Sequence, residues 1–425
     1  MISNIYKIFS FVFLVLFFSG CVAHSPQIAN KKAFENEDLY ILWGLEMQKN
    51  ENFNEASKIF YKLYQESNKK EYLYTSLRDD LVANESQRAI EKIDSISKKI
   101  DYDFELSRIK ALAFINAGEY LKAKDVALEL VNVSKDADDY ILVADTYIKL
   151  KEYENAIKYL DSAYIKNFDE KIVDKVSLIL YVHLKQKQEA ITRLETHSRL
   201  YGCSKLICNR LVAFYADEDN VEALVSTYVR LYEKEPKEDI SAKIIQLYAY
   251  SRNYQKLKEF LEKNRVDDEL LLQLYVQDKN YKRAFEFADE VYAKTKDIEF
   301  LGHSGIFEYE SAVDKKDKTM QNSVIEKLTK VLTTLKKGIY FNYLGYLLID
   351  HDIDAKKGIE LVKEALKQEP NSPFYLDSLA WGYYKIGDCK GAKKTMDRVI
   401  ELDGDINEEV KLHTEEINKC LKAIK

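Results

Sequence analysis

The chain has 425 residues, with 64 basic and 71 acidic side chains and a formal charge of −7. That length is too great for one compact core but natural for a stacked array, and the absence of any basic block argues against a nucleic-acid partner. Glycine (13) and proline (4) together reach about a third of their usual share, and alternation of period two bounded by turn pairs is absent, so the chain is expected to be all-α.

Residues 1–20 have the pattern of a signal sequence. Lys7 and the terminal amine supply a thin positive region, and the apolar run from Ile8 to Phe18 is too short to span a bilayer. It ends Phe18-Ser19-Gly20-Cys21, which resembles the bacterial lipobox, in which small residues precede a Cys that is acylated and becomes residue one. Phe18 stands where lipoboxes usually carry Leu. The resemblance implies lipidation of Cys21 by acyl chains such as palmitate and anchoring through them. Val22 after the Cys, rather than Asp, implies sorting to the outer membrane, with the protein facing the periplasm. Residues 21–35 then form a tether.

Beyond the tether a small residue recurs. Ala56, Ala89, Ala123, Ala156, Ala190 and Ala223 follow one another at intervals of 33, 34, 33, 34 and 33; Leu257 comes 34 later, Ala284 after only 27, and Gly358 and Ala392 close the series. The gap between Ala284 and Gly358 has room for one degenerate unit near 300–335. Nine residues before the small position stand Tyr147, Tyr181, Phe214, Tyr248, Tyr275 and Tyr383, expected to be core aromatics between units. A helix–turn–helix of 34 residues with a small residue at the crossing is the tetratricopeptide signature, because helices approach closely only where neither presents a long side chain.

The expected architecture is a tetratricopeptide-repeat superhelical solenoid of about eleven helix–turn–helix units with a C-terminal capping helix. The 27-residue interval requires a shortened second helix near Leu261. It divides the array into an N-terminal lobe, 36–265, and a C-terminal lobe, 266–404. In the last unit Ser372 can cap a helix with Pro373 in its first turn, and Gly387 lies just past its end. Residues 405–425, with Ile406, Val410, Ile417 and Leu421 apolar, are expected to cap the array.

No catalytic or metal-binding constellation emerges. The six histidines (24, 183, 197, 303, 351 and 413) are dispersed, without HExxH or Cys partners at ligand spacing. Leu301-Gly302-His303-Ser304-Gly305 lacks the preceding strand that a nucleophile elbow needs. Neither enzymatic activity nor a cofactor is expected. With Cys21 committed to lipid, the even number and placement of Cys203, Cys208, Cys389 and Cys420 favour disulfides over buried thiols. Counting pairs two of them. About a turn between Gly404 and Asp405, Cys389 lies 15 residues before Gly404 and Cys420 lies 15 after Asp405, equal heights on antiparallel helices.

The last two units carry a narrower likeness. Asn342-Tyr343-Leu344-Gly345-Tyr346-Leu347, then Pro370-Asn371-Ser372-Pro373 and Leu376-Asp377-Ser378-Leu379-Ala380-Trp381, resemble the signature of bacterial outer-membrane tetratricopeptide lipoproteins. The resemblance implies an adaptor for protein partners, by analogy a periplasmic carboxyl-terminal processing protease and its cell-wall hydrolase substrates. Ala380 departs from the glycine frequent there. The other function class is a structural scaffold of an envelope machine for polysaccharide export or pilus and secretin assembly. First helices of tetratricopeptide units line a concave groove, and residues one turn apart share a face. Asn342, Tyr346 and Asp350, with Asp377, Trp381, Tyr384 and Lys385 one unit later, are therefore the expected partner-binding residues.

Overall fold

The computed structural model describes residues 32–97, 102–402 and 408–423. The expected signal sequence, Cys21 and most of the expected tether lie outside the described residues, as do residues 403–407, where the sequence places a turn.

Two compact units divide the chain between Glu218 and Asp219. The first contains α1 (Glu37–Lys49), α2 (Phe53–Ser67), α3 (Lys70–Val82), α4 (Ser86–Ile96), α5 (Phe104–Asn116), α6 (Tyr120–Ser134), α7 (Ala137–Lys149), α8 (Tyr153–Asn167), α9 (Glu170–Leu178, continued by a π-turn at Ile179–His183), α10 (Lys187–Tyr201) and α11 (Lys205–Asp217). The second contains α12 (Val221–Lys234), α13 (Glu238–Tyr250), α14 (Tyr254–Asn264), α15 (Asp268–Gln277), α16 (Tyr281–Thr295), α17 (Ile298–Ser311), α18 (Lys318–Thr334), α19 (Gly338–Asp350), α20 (Ala355–Gln368), α21 (Pro373–Lys385), α22 (Cys389–Leu402) and α23 (Glu408–Ala423). Odd-numbered helices are the first, and even-numbered the second, of each repeat. Their order is that of eleven repeats and a final single helix among the described residues, and no strand occurs there. The boundary between the units falls between α11 and α12, whereas the spacing places a division into lobes at 265/266. The short interval is absorbed locally: α14 has eleven residues and α15 ten, and the two still pack on each other.

The repeat is written in backbone chemistry as well as in spacing. Asn52, Asp103, Ser204, Asn253, Asp267, Asn280 and Asp354 accept a hydrogen bond from the backbone N–H three residues on, satisfying one of the orphan donors of a helix start. The turn inside nearly every repeat passes through one left-handed residue: Glu51, Asn84, Gly118, Lys151, Lys185, Asp219, Arg252, Lys279, Asp352 and Gly387. The degenerate ninth repeat (α17 and α18) alone spans Ala312–Asp317 without one. Ser372 sits at the N-cap of α21 with Pro373 in the first turn, but its side chain makes no capping bond.

Packing follows the small residues. Ala56, Ala89, Ala123, Ala156, Ala190, Ala284 and Ala392 are fully buried, and Leu257 nearly so. Of the expected core aromatics, Tyr181, Phe214, Tyr248 and Tyr275 are buried, and Tyr181 lies flat on Phe214 with centroids 3.8 Å apart.

Candidate functional site

The close approach of α19 and α20 places the C-terminal residues of interest. A Cβ on Gly345 would stand 2.8 Å from the Gly358 carbonyl oxygen, and one on Gly358 would stand 2.6 Å from the Gly345 carbonyl oxygen. Only two glycines allow this backbone contact. It holds α19 against its partner so that its opposite face meets α17, α21 and α23. The apolar seam of α23 is Val410, His413 and Ile417, all buried, at helical spacing along one face.

Between these helices lies a cavity of about 630 Å³, within the size range of ligand sites. Tyr309 and Glu310 of α17, Lys315 after it, Asn342, Tyr343, Tyr346 and Asp350 of α19, Phe374, Tyr375 and Asp377 of α21, and Glu409 of α23 are among its lining residues. The Tyr343 hydroxyl donates to Glu310 at 3.1 Å and the Tyr346 hydroxyl donates to Glu409. Trp381 Nε1 donates to Asp350 Oδ1 at 2.9 Å. His413 Nδ1 lies 3.0 and 3.1 Å from the two Asp377 oxygens. Lys315 donates to the Tyr309 carbonyl, with its ammonium 4.4 Å from the Tyr309 ring centroid; burial holds that ammonium below its ordinary value. Burial, followed by the nearby carboxylates, raises the Tyr309, Tyr343 and Tyr346 phenols well above the ordinary tyrosine range. They remain neutral hydrogen-bond donors at physiological pH.

Four of the seven expected partner-binding residues, Asn342, Tyr346, Asp350 and Asp377, come together in this lining. The other three stand behind it. Trp381 is only 8% exposed, stacked between His413 (centroids 4.1 Å apart) and Tyr384 (4.7 Å). Tyr384 reaches Glu416 of the cap at 3.4 Å. Lys385 donates to the Asp350 carbonyl at 2.9 Å and to Asp352 at 2.8 Å. These side chains hold the cap and Asp350 in place. Sequence reasoning missed Tyr309, Glu310 and Glu409, which come from the preceding repeat and the cap. Tyr343 and Phe374 stand beside the chosen positions, and helical phase within the last two units could have found them.

Elsewhere the chemistry is structural. Ser304 lies inside α17, fully buried, donating to Asp289 at 3.0 Å and accepting from Lys327 at 2.8 Å. Both disulfides form: Cys203–Cys208 with Cα atoms 5.4 Å apart and Cys389–Cys420 with Cα atoms 5.8 Å apart. In the N-terminal unit successive first helices are laced by ion pairs: Arg78 to Glu105, Arg108 to Asp139, Lys175 to Asp145 and Arg210 to Asp174.

A family model described as ChAPs (Chs5p-Arf1p-binding proteins) matches residues 2–197, a little under half of the chain. No curated protein matches it. Among solved structures, the chain is similar to one in the APC/C hetero-tetramer Cut9–Hcn1, at 14% identity over 92% of this chain and 85% of that one, TM-score 0.34. It is similar to one in the structure of Naa15/Naa10 bound to HypK-THB, at 12% identity over 83% of this chain and 67% of that one, TM-score 0.34. It is similar also to MamA from Desulfovibrio magneticus RS-1, at 19% identity over 41% of this chain and 99% of that one, TM-score 0.36. By the spacing, crossings and turns of its own helices, the chain is an all-α repeat protein of the tetratricopeptide type.

Proposed function

We propose that this protein is a lipid-anchored, extracytoplasmic adaptor that receives a segment of a protein partner in the cavity between α17, α19, α21 and α23. One contrast carries the reading. In the N-terminal unit charged groups of successive first helices pair with each other. In the C-terminal unit the corresponding face encloses a cavity with polar groups along its wall. The family matched by residues 2–197 is named for binding proteins, which agrees with an adaptor in the general sense. The compartment is supported by two disulfides, which persist in oxidising surroundings, and by the signal-like residues 1–20 ending at Cys21. The resemblance of the last two repeats to outer-membrane lipoproteins makes a carboxyl-terminal processing protease and its hydrolase substrates the first partners to seek.

Affinity capture from solubilised envelopes tests the adaptor. Wild-type protein should retain a partner that Asn342→Ala loses by roughly tenfold, a large effect for one polar group, with helicity unchanged and the variant melting no lower than wild type. Equal retention by the variant would remove the cavity from consideration. Recovery of secretin or export components in place of a protease would turn the reading to an envelope scaffold. Anchoring is tested separately. Wild-type cells fed labelled palmitate should label the protein, whereas Cys21→Ser should abolish both label and membrane retention. Persistence of the variant in washed membranes would overturn the lipid anchor.

A further inference from the structure

The wall of the cavity is short of positive charge. Glu310, Asp350, Glu369, Asp377 and Glu409 line it against Lys315 alone. The chain usually neutralises its buried carboxylates: Asp80 meets Lys92 and Arg88, Asp139 meets Arg108, and Glu37 meets Lys69. In the cavity Asp377 is buried, Glu310 and Asp350 are half-buried, Glu369 and Glu409 are exposed, and the partners differ in kind. Glu310 and Glu409 are held by phenols, Asp350 by an indole N–H and Asp377 by an imidazole. No Lys or Arg ammonium or guanidinium nitrogen among the described residues lies within 4.0 Å of the Glu310, Glu409 or Asp350 carboxylates. Lys385 meets Asp350 at its carbonyl and pairs with Asp352, and Lys315 turns to the Tyr309 carbonyl.

Each carboxylate offers about four lone-pair sites, of which one hydroxyl or ring N–H uses only one. The Asn342 side-chain oxygen is buried without any hydrogen-bond partner, a state that costs about 1–3 kcal/mol until a donor arrives. Tyr343 and Tyr346 add aromatic rings, which attract cations, while the Tyr309 ring already carries Lys315. An occupant with several N–H donors and a positive charge complements these groups. The wall also has apolar members: Phe374, 70% exposed, Ile339, 44% exposed, and Pro373. A free amine would leave that apolar edge uncovered.

From this juxtaposition we infer that the cavity takes the side chain of a lysine or arginine from an extended segment of a protein partner, with an apolar neighbour of that residue lying on Phe374 and Ile339. The inference rests on the adaptor reading for the source of the ligand. Guanidinium suits the site best, because its planar fork can bridge two carboxylates while lying on a tyrosine ring.

An array of fifteen-residue peptides tests it on the full-length protein. Each carries Arg-Leu at its centre, and matched peptides carry citrulline-Leu or Glu-Leu. The arginine peptides should bind at least about tenfold more tightly than the citrulline ones, and binding should fall with added salt, as charge-assisted contacts do. Glu310→Gln combined with Glu409→Gln should remove that preference with melting unchanged. Neither residue carries the core, so the double variant remains folded. Arginine and citrulline peptides binding alike, or a preference surviving the double substitution, would overturn the cation site. Spermidine or free arginine amide competing as strongly as the peptides would overturn a protein segment as the source. The adaptor reading fails separately: if a captured envelope partner is lost on Phe374→Ala but not on the double Glu→Gln change, the adaptor stands and the cation site falls.

Discussion

Glu37 and Asp79 both sit in the N-terminal unit, both are carboxyls with almost no exposed surface, and they titrate in opposite senses. Glu37 is held at about 2 by the hydrogen bond from Lys69, then by those from the Ala33 N–H and the Tyr72 hydroxyl. A carboxyl depressed in this way contributes stability above its ordinary value of 4.5, lost as pH falls from there towards 2. Asp79 is pushed up to about 6 by burial, with the Gln48 amide only partly offsetting it. Its folded form holds the proton more tightly than the unfolded chain does. Stability is therefore lost as pH rises from 3.8 to about 6, and the full loss stands above that. The displacement corresponds to roughly 3 kcal/mol. Asp79→Asn keeps an acceptor for Gln48 and removes the buried charge. It should raise stability in urea by about 1–3 kcal/mol at pH 8 and change little at pH 4. A variant no more stable than wild type at pH 8 would show that the carboxylate carries no such penalty.

The two disulfides act on different elements. Cys203–Cys208 closes a loop of a few residues at the joint between α10 and α11, where Gly202 turns the chain at φ +88°; the loop-entropy relation assigns it about 2 kcal/mol. Cys389–Cys420 ties α22 to the cap across 31 residues of sequence, and the same relation gives roughly 3–4 kcal/mol. Counting residues from the turn anticipated this second bond, since equal distances along antiparallel helices bring side chains level. The cap also contributes Glu409 to the cavity and His413 to the stack on Trp381. Cys420→Ser should therefore speed amide exchange in α23 and in the last turn of α21, while α10 and α11 exchange as before. Unchanged protection of α23 would mean that Val410, His413 and Ile417 hold it without the bond.

In a stacked array each repeat contacts its neighbours and little else, so unfolding need not be all-or-none. The chain has two tryptophans, one in each compact unit. Trp43 lies on α1, 52% exposed, and Trp381 lies in the buried stack of α21. In a Trp43→Phe protein, fluorescence follows the C-terminal unit alone while far-UV circular dichroism follows all helices. The two urea transitions should have separate midpoints, with the circular-dichroism curve the broader. Superimposable transitions would show that both units unfold together.

The repeat itself was legible without a structure, because its cause is local and recurs. A small residue is needed wherever two helices cross closely, so Ala56 to Ala392 recur at helical-hairpin spacing and number the units. Scarce glycine and proline gave the helical class, and the amphipathic run from Val410 to Ile417 gave the cap. Of the left-handed turn residues only Gly387 stood out, since eight of the ten are not glycine, and lysine, arginine or glutamate at such a position carries no signal of its own. The site was only half visible. Helical phase within α19 and α21 placed Asn342, Tyr346, Asp350 and Asp377 on one wall, but phase cannot tell which aromatic the next element will cover. Trp381 went behind the wall because α23 returns along α21 and puts His413 on its ring. Glu310 and Glu409 joined the wall from segments 32 residues before and 67 residues after Asn342. Contacts between neighbouring repeats obey a period and can be counted; the closing of a cavity depends on packing between elements whose separation follows no period, and only the tertiary structure decided it.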